Sequence, residues 1–363
     1  MTMLEADPPV LAAATLLTPV PAPVSRGPSH APHAVDPLAL SLNENPFPPL
    51  AAVRAAIVAS IGAANRYPEF YPQRLRSLIA DHIGADAGQV VIGAGATGVM
   101  LQVLHALTSP GDEVVFASPT FDGYPIVARM TRLTQVPVPL DANGYHDLDA
   151  MADAAATARV VVVCRPHNPT GTVESAFAIE RFLQRIPRDT VVLVDEAYAE
   201  FLEPEYGIDW VATMRRHPNV VVARTFSKAY GLADLRIGYG FTSPELVEIL
   251  WSMQLPFGVS HTSMVAVAAS YRAEAQLRRR IRLITVERTA LRHRLLSLGI
   301  RSMDSHANFI YLPPAELAWT DVFDGNRLRV RHYSDGAARI TIGSRRSTKA
   351  VLDALHQIPN GAA

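Results

Sequence analysis

Lysine is almost missing from this chain. Of 363 residues only Lys228 and Lys349 are lysines, and arginine supplies the rest of the 33 basic positions. Cysteine is scarcer still. Cys164 stands alone, which excludes an intrachain disulfide framework and a cysteine-based zinc site. A lone thiol, best read as a small buried apolar residue, fits a reducing compartment, so the cytoplasm is the expected location. Charge of one sign is absent too: 33 basic residues face 34 acidic ones, for a net charge of -1. Nothing global attracts nucleic acid or an anionic membrane. No apolar run approaches the ~18–20 residues that span a bilayer. The apolar stretch Val10–Val20 follows Glu5 and Asp7 with no Lys or Arg, the wrong sign for a secretory leader. His261, His306 and His332 show no ligand spacing, so no metal is assigned.

What is present is globular. Hydrophobic residues make up 49% and charged residues 18%, which excludes a disordered chain. The length sits near the upper edge for one hydrophobic core, so a large domain plus a smaller one is expected. Residues 1–37 read as a Pro/Ala-rich arm. Short β-branched or apolar runs follow at Gln89–Ile92, Glu113–Ala117, Leu133–Val138, Val160–Cys164, Val191–Val194, Val220–Ala223 and Ile237–Phe241. Helical patterns fall between them at Val99–Leu107, Gln73–Ile83, Asp122–Met130, Leu148–Ala155 and Ala176–Arg185. Alternating strands and helices predict an α/β fold: a mostly parallel seven-stranded sheet with helices on both faces, over 38–260. After Ser243 the pattern changes. A long Arg-rich helix over Met264–Leu298 precedes strands at Phe309–Leu312, Leu328–Arg331 and Arg339–Ile342 and a helix over Thr348–Ile358. That set predicts a smaller α+β domain over 261–363, with part of the N-terminal segment. The basic run Arg278-Arg-Arg-Ile-Arg282 reads as one solvated helix face.

Gly93, Gly95 and Gly98 match G-x-G-x-x-G between a strand and a helix. Such glycines let a phosphate approach backbone N–H groups at a helix start. Three readings stay open: a single phosphate group, a structural turn, or a nicotinamide site. The last needs a ribose-binding acid at the end of the next strand, where Ala117-Ser118-Pro119 stands instead.

Three polar segments each follow a buried apolar strand: Cys164–Thr172, Val194–Phe201 and Arg224–Arg236. Ligands of parallel sheets bind beyond the carboxyl ends of strands, so Asn168, Asp195, Tyr198 and Lys228 are expected to converge. A pyridoxal-phosphate site needs such a set. A lysine amine condenses with the aldehyde, and a carboxylate keeps the pyridine nitrogen protonated. In a chain this poor in lysine, Lys228 suggests a need for a deprotonatable amine, which arginine cannot supply.

Eight motifs in order carry a family resemblance from about Ser41 onward. They are Ser41-Leu-Asn-Glu-Asn-Pro46, Asn65-Arg-Tyr-Pro68, the glycine loop, Ser118-Pro-Thr-Phe121, Asn168-Pro-Thr-Gly171, Asp195-Glu-Ala-Tyr198, Thr225-Phe-Ser-Lys228 and Arg339-Ile-Thr-Ile-Gly343. The chain resembles fold-type-I (aspartate aminotransferase-like) pyridoxal-phosphate aminotransferases, within them the histidinol-phosphate and aromatic amino acid aminotransferases. The resemblance implies a Schiff base and proton shuttle at Lys228, and Asp195 at the ring nitrogen. It puts Tyr198 and Asn168 at the phenolic oxygen and Phe121 on the ring face. It implies phosphate ligands at Thr225, Ser227, Arg236 and the backbone of Ala96 and Thr97. Tyr67 resembles the tyrosine that reaches the phosphate of a second subunit, which implies a homodimer. Arg339 is similar to the arginine that grips the substrate α-carboxylate, and Arg331 to a second substrate-facing arginine. Asn45 and Asn308 are candidates at the pocket wall.

The implied activity is transfer of an amino group between an amino acid (aromatic, histidinol-phosphate-like or from specialised metabolism) and a 2-oxo acid. The alternative is a C–S β-lyase or decarboxylating reaction. Departures from the family pattern motivate it: Arg165 and His167 replace two asparagines, and Asp234 replaces a glycine. Arg165 and His167 are expected to bear on which Cα bond breaks. The arm also lacks the tyrosine that relatives bring toward the substrate. A nicotinamide dehydrogenase and a binding protein without turnover are the remaining readings, and Lys228 argues against the second.

Overall fold

The computed structural model describes residues 35–357. The Pro/Ala-rich arm lies almost wholly outside them, as does the end of the C-terminal helix expected to reach Ile358. The chain starts with β1 (Ala39–Leu40), α1 (Ala51–Ser60) and α2 (Gln73–Ile83). It continues as β2 (Val90–Gly93), α3 (Gly95–Leu107), β3 (Glu113–Ser118), α4 (Gly123–Met130), β4 (Thr134–Pro139) and α5 (Leu148–Ala154). Then come β5 (Val160–Cys164), α6 (Ala176–Arg185), β6 (Val191–Asp195), α7 (Trp210–Arg216), β7 (Val220–Thr225), β8 (Gly238–Thr242) and α8 (Pro244–Ser252). The last third holds α9 (His261–Arg272), α10 (Glu274–Ser297), β9 (Phe309–Leu312), α11 (Trp319–Asp324), β10 (Arg329–His332), β11 (Ala338–Thr341) and α12 (Arg345–Leu355).

Seven strands form one sheet in the order β2-β8-β7-β6-β5-β3-β4. The pairs among β4, β3, β5, β6 and β7 are parallel, and β8 runs antiparallel to both its neighbours. The central strands are apolar throughout because both faces are covered. Alternate residues feed two different cores. Val161, Val163, Val192, Val194, Val220 and Val222 pack with Met151, Ile179, Phe182 and Trp210, from α5, α6 and α7. Val160, Val162, Val191, Leu193 and Val221 pack with Val99, Val103, Val127 and Leu250, from α3, α4 and α8.

The second sheet has four strands in the order β1-β10-β11-β9. Its edge strand β1 comes from the start of the described chain and pairs in parallel with β10. Residues 35–357 belong to one compact unit. The single long helix expected over Met264–Leu298 is two. α9 closes at Ala273, whose N–H reaches both Ala269 and Ser270 carbonyls, and α10 begins anew. On α10 the side chains of Arg278, Arg279 and Arg282 are exposed. Among the described residues no helix is long and apolar enough to cross a membrane.

Candidate active site

A cavity of about 320 Å³ lies between the carboxyl ends of β3, β5, β6 and β7 and the face of the four-stranded sheet. Lys228, Asp195, Tyr198, Asn168, Phe121, Thr225, Ser227, Arg236, Ala96, Thr97, Arg339 and Arg331 all line it. Twelve of the expected site residues therefore meet in one place.

Register explains why the central carboxylate is there. Cys164, Asp195 and Ala223 are aligned across β5, β6 and β7, on the face covered by α3 and α4. From α4 the hydroxyl of Tyr124 donates to Asp195 Oδ2 at 2.7 Å, and the Ala197 N–H donates to Oδ1 at 3.1 Å. Asp195 is only 4% exposed, and burial pushes its carboxyl up to about 6 despite these bonds. Among the described residues no cation lies within ion-pair distance of it. Lys228 follows β7, and its Nζ donates to the Leu42 carbonyl at 3.0 Å. Burial, then the charge of Arg339, pulls its ammonium down to about 8, against the pull of Glu44 and Asp195. Tyr198 accepts a hydrogen bond from Asn43 Nδ2 at 2.9 Å, and burial raises its phenol above the usual range.

At one end of the cavity stands an anion cradle. Helix α3 opens without a side-chain cap, so the N–H groups of its first turn have no partner from a capping residue. Thr225 Oγ1 donates to Ser227 Oγ at 2.9 Å, and Arg236 Nη1 donates to the same Ser227 oxygen at 3.3 Å. The glycine loop makes this closeness possible. Gly95 has φ +72, and a Cβ there would stand 2.7 Å from Arg236 Nη2. Its strand β2 lies at the sheet edge and pairs with the antiparallel β8, not within a parallel βαβ unit. That topology is wrong for a dinucleotide fold, so the nicotinamide reading falls.

Arg339 is 7% exposed and donates to the Ser41 carbonyl at 2.7 Å and to Asn168 Oδ1. Among the described residues its Nε has no partner, nor does Thr120 Oγ1, which also lines the cavity. Arg331 Nη2 pairs with Asp122 Oδ2 at 2.5 Å.

Other expectations are placed differently. Asn45 and Asn308 stand behind the wall, not on it. Asn45 Nδ2 donates to the carbonyls of Lys228 and Ala229 at 3.2 and 2.9 Å, and Asn308 Nδ2 to that of Asn43 at 3.1 Å. They brace the backbone that carries the lining. Tyr67, expected at the phosphate of a second subunit and not in its own cavity, is 83% exposed and rests on Phe257 with ring centroids 4.8 Å apart. Arg165 and His167 turn away from it, which removes the ground for their bearing on bond choice. Arg165 is fully buried and donates to the carbonyls of Glu174 and Tyr206 and to Glu196. His167 Nδ1 bonds Thr170 Oγ1 at 2.8 Å, and burial with the nearby His146 keeps its ring neutral. Asp234 is exposed on the turn Ala233–Leu235, and nothing in the structure explains it. Tyr124, Asn43 and Asp122 were not foreseen at the site. Tyr124 lies within the helix expected over Asp122–Met130, but no local signal in the sequence ties it to Asp195 on β6.

The sequence model of the family described as "Aminotransferase class I and II" matches residues 35–355. The chain belongs to the class I and II aminotransferases. It is 40% identical over 341 residues to an aromatic amino acid aminotransferase of Cutibacterium acnes, covering 93% of this chain and 96% of that one. It is 40% identical over 307 residues to a namesake from Streptomyces coelicolor, covering 84% and 86%. Among solved structures, the histidinol-phosphate aminotransferase of Sinorhizobium meliloti in complex with pyridoxal-5'-phosphate superposes with a TM-score of 0.81 at 24% identity, over 88% of this chain and 89% of that one. A Thermus thermophilus aspartate aminotransferase variant gives 0.77 at 19% identity, over 88% and 96%. These two show a shared fold-type-I architecture. The protein is a pyridoxal-phosphate-dependent aminotransferase, and these relatives do not favour a lyase or decarboxylating reaction.

The residues fit the cofactor on the structure's own terms. A buried carboxylate without a cation suits a protonated pyridine, the uncapped helix end with Thr225, Ser227 and Arg236 suits a phosphate, and Lys228 suits an aldehyde. When bound, pyridoxal phosphate supplies that aldehyde and a ring that accepts the electron pair left at the substrate Cα.

Proposed function

We propose that this aminotransferase takes an aromatic amino acid as donor and a 2-oxo acid as acceptor, with Lys228 as its catalytic amine. The carrying observation is a lysine with its amine at about 8 sharing one cavity with a buried carboxylate that has no cation of its own. Near neutral pH a useful fraction of Lys228 is the free base, ready to bond the cofactor and later to carry the Cα proton on Nζ. Asp195 keeps a proton on the ring nitrogen. Tyr198 and Asn168 serve the phenolic oxygen, and Phe121 covers the ring face. Thr225, Ser227, Arg236 and the Ala96 and Thr97 backbone hold the phosphate. Arg339 receives the α-carboxylate through its paired N–H groups. The named relatives at 40% identity support an aromatic donor.

The working unit in this reading is a cytoplasmic homodimer, with the seven-stranded sheet in a larger cofactor-binding domain and the four-stranded sheet in a smaller one. Tyr67, at 83% exposure, rests on Phe257, which also packs edge-on against Phe70, and those two rings are exposed by 42 and 52%. Such a patch suits burial against a second copy, where Tyr67 would reach the partner's phosphate site. Rapid-scan absorbance of single half-reactions tests the donor. Phenylalanine and tyrosine should convert the bound cofactor to its amine form and release keto acids, and 2-oxoglutarate should restore it. Ammonia and pyruvate, or carbon dioxide, as products would overturn the assignment.

A further inference from the structure

Two arginines face the substrate end of the cavity, and they differ in charge balance. Arg331 and Arg339 are direct partners on the antiparallel pair β10–β11. Like charges opposite one another repel, so each is steadied by other groups. Among the described residues Arg339 bonds only neutral acceptors, the Ser41 carbonyl and the Asn168 amide, and its Nε is unpartnered. Arg331 is different. Its Nη2 lies 2.5 Å from Asp122 Oδ2, reaching from β10 to the residue just before α4. Asp122 makes no capping hydrogen bond to α4, so helix capping does not account for it.

Building on the aromatic aminotransferase reading, we infer that Asp122 is a specificity-determining residue, which holds Arg331 in a charge-balanced pair and so favours uncharged aromatic side chains over anionic ones. Arg339 is then the one arginine of the two left for a substrate carboxylate. A second carboxylate or a phosphate on the substrate must displace Asp122 from Arg331 or lie close to it. An aromatic ring makes no such demand and can lie against the guanidinium plane. Glu44, also on the cavity wall, adds to the field against a second anion. The pair is 45% and 59% exposed in its side chains. Solvent therefore screens it, and the discrimination it adds is about three- to fivefold at low salt. Because the pair can open, a dicarboxylate acceptor is disfavoured rather than excluded.

The test uses the cofactor-loaded enzyme. Ratios of kcat/KM for glutamate against phenylalanine are measured in wild type, Asp122→Asn, Asp122→Ala, Arg331→Gln and the double variant Asp122→Asn/Arg331→Gln. Dissociation constants of the unreactive acids glutarate and 3-phenylpropionate are measured beside them from the change in cofactor absorbance. Asp122→Asn and Asp122→Ala should each raise the anion-to-aromatic ratio of kcat/KM about three- to fivefold at low salt and lower the anion-to-aromatic ratio of dissociation constants by as much, less at high salt. With Arg331→Gln in place, Asp122→Asn should move both ratios much less than it does beside Arg331. Ratios within twofold of wild type, or an equal shift in the Arg331→Gln background, overturn the role of Asp122. A wild type inert toward phenylalanine, tyrosine and tryptophan overturns the aromatic reading and this inference with it. An active wild type with unmoved ratios sinks this inference alone.

Discussion

Asp195→Asn should stabilise the cofactor-free protein while weakening its hold on the cofactor. In the folded chain the carboxyl stands at about 6, against 3.8 for a free aspartate, with burial as the main cause. The gap of about two units, at ~1.4 kcal/mol per unit, is a cost of about 3 kcal/mol for keeping the group ionised in the folded apoprotein. The folded value lies above the unfolded one, so the folded state holds more protons between pH 3.8 and about 6. Stability contributed by the protonated group is therefore lost as pH rises through that window, and the cost is complete above it. Asparagine does not ionise. Its amide oxygen can still accept from Tyr124, but its NH₂ cannot accept from the Ala197 N–H as Oδ1 does, which gives back about 1 kcal/mol.

The net expectation is a gain of about 2 kcal/mol at pH 8 that vanishes near pH 4. Urea unfolding of the dialysed apoproteins at both pH values measures it. Cofactor titration by fluorescence gives the other half: loss of a buried charge partner should raise the dissociation constant on the order of a hundredfold or more. No gain at pH 8, or an equal gain at pH 4, would refute the argument from burial. An unchanged cofactor affinity would refute the placement of the ring nitrogen at Asp195.

Two further substitutions separate the site from its surroundings. Tyr124→Phe removes the 2.7 Å bond to Asp195 and should weaken cofactor binding roughly tenfold or more, with the acid limb of the binding profile moving to higher pH; spectrophotometric titration across pH reads both. Arg165→Met strips donors from the Glu174 and Tyr206 carbonyls and should cost about 3 kcal/mol in urea unfolding, yet leave kcat per loaded site within about twofold.

Much of the fold could be read from the chain because the sheet is buried on both faces. A run such as Val160–Cys164 has few other uses, and observed bounds for β5, α2, α6 and β9 coincide with the expected ones. Two features that escaped lack a local signal. β1 is two residues long and exists because β10, from the far end of the chain, lies beside it. The stop at Ala273 carries no glycine or proline, so a helix-favouring composition ran through it. Helix α8 could have been found, since Ser243-Pro-Glu245 is a cap, a first-turn proline and a first-turn acid.

The site shows where motif reasoning is safe and where it slips. Residues that end parallel strands must point somewhere near the carboxyl edge, and Asn168, Asp195, Thr225 and Lys228 do converge there. Adjacency in sequence is a weaker guide, because neighbours on an extended segment face opposite ways. Cys164 lines the cavity while Arg165, the next residue, is buried on the other side against Glu174 and Glu196. Substitutions beside the cavity-lining Asn168 therefore look functional in a motif and are structural in space. The converse holds for Asp122 and Arg331, which nothing in the sequence links. Cavity-lining groups that fit the cofactor-free protein poorly include a carboxylate without a cation, a lysine with a depressed amine and an arginine with a bare Nε. A chain selected for stability alone would have paired or neutralised them, and each has a natural partner in a bound pyridine ring, its aldehyde or a substrate carboxylate.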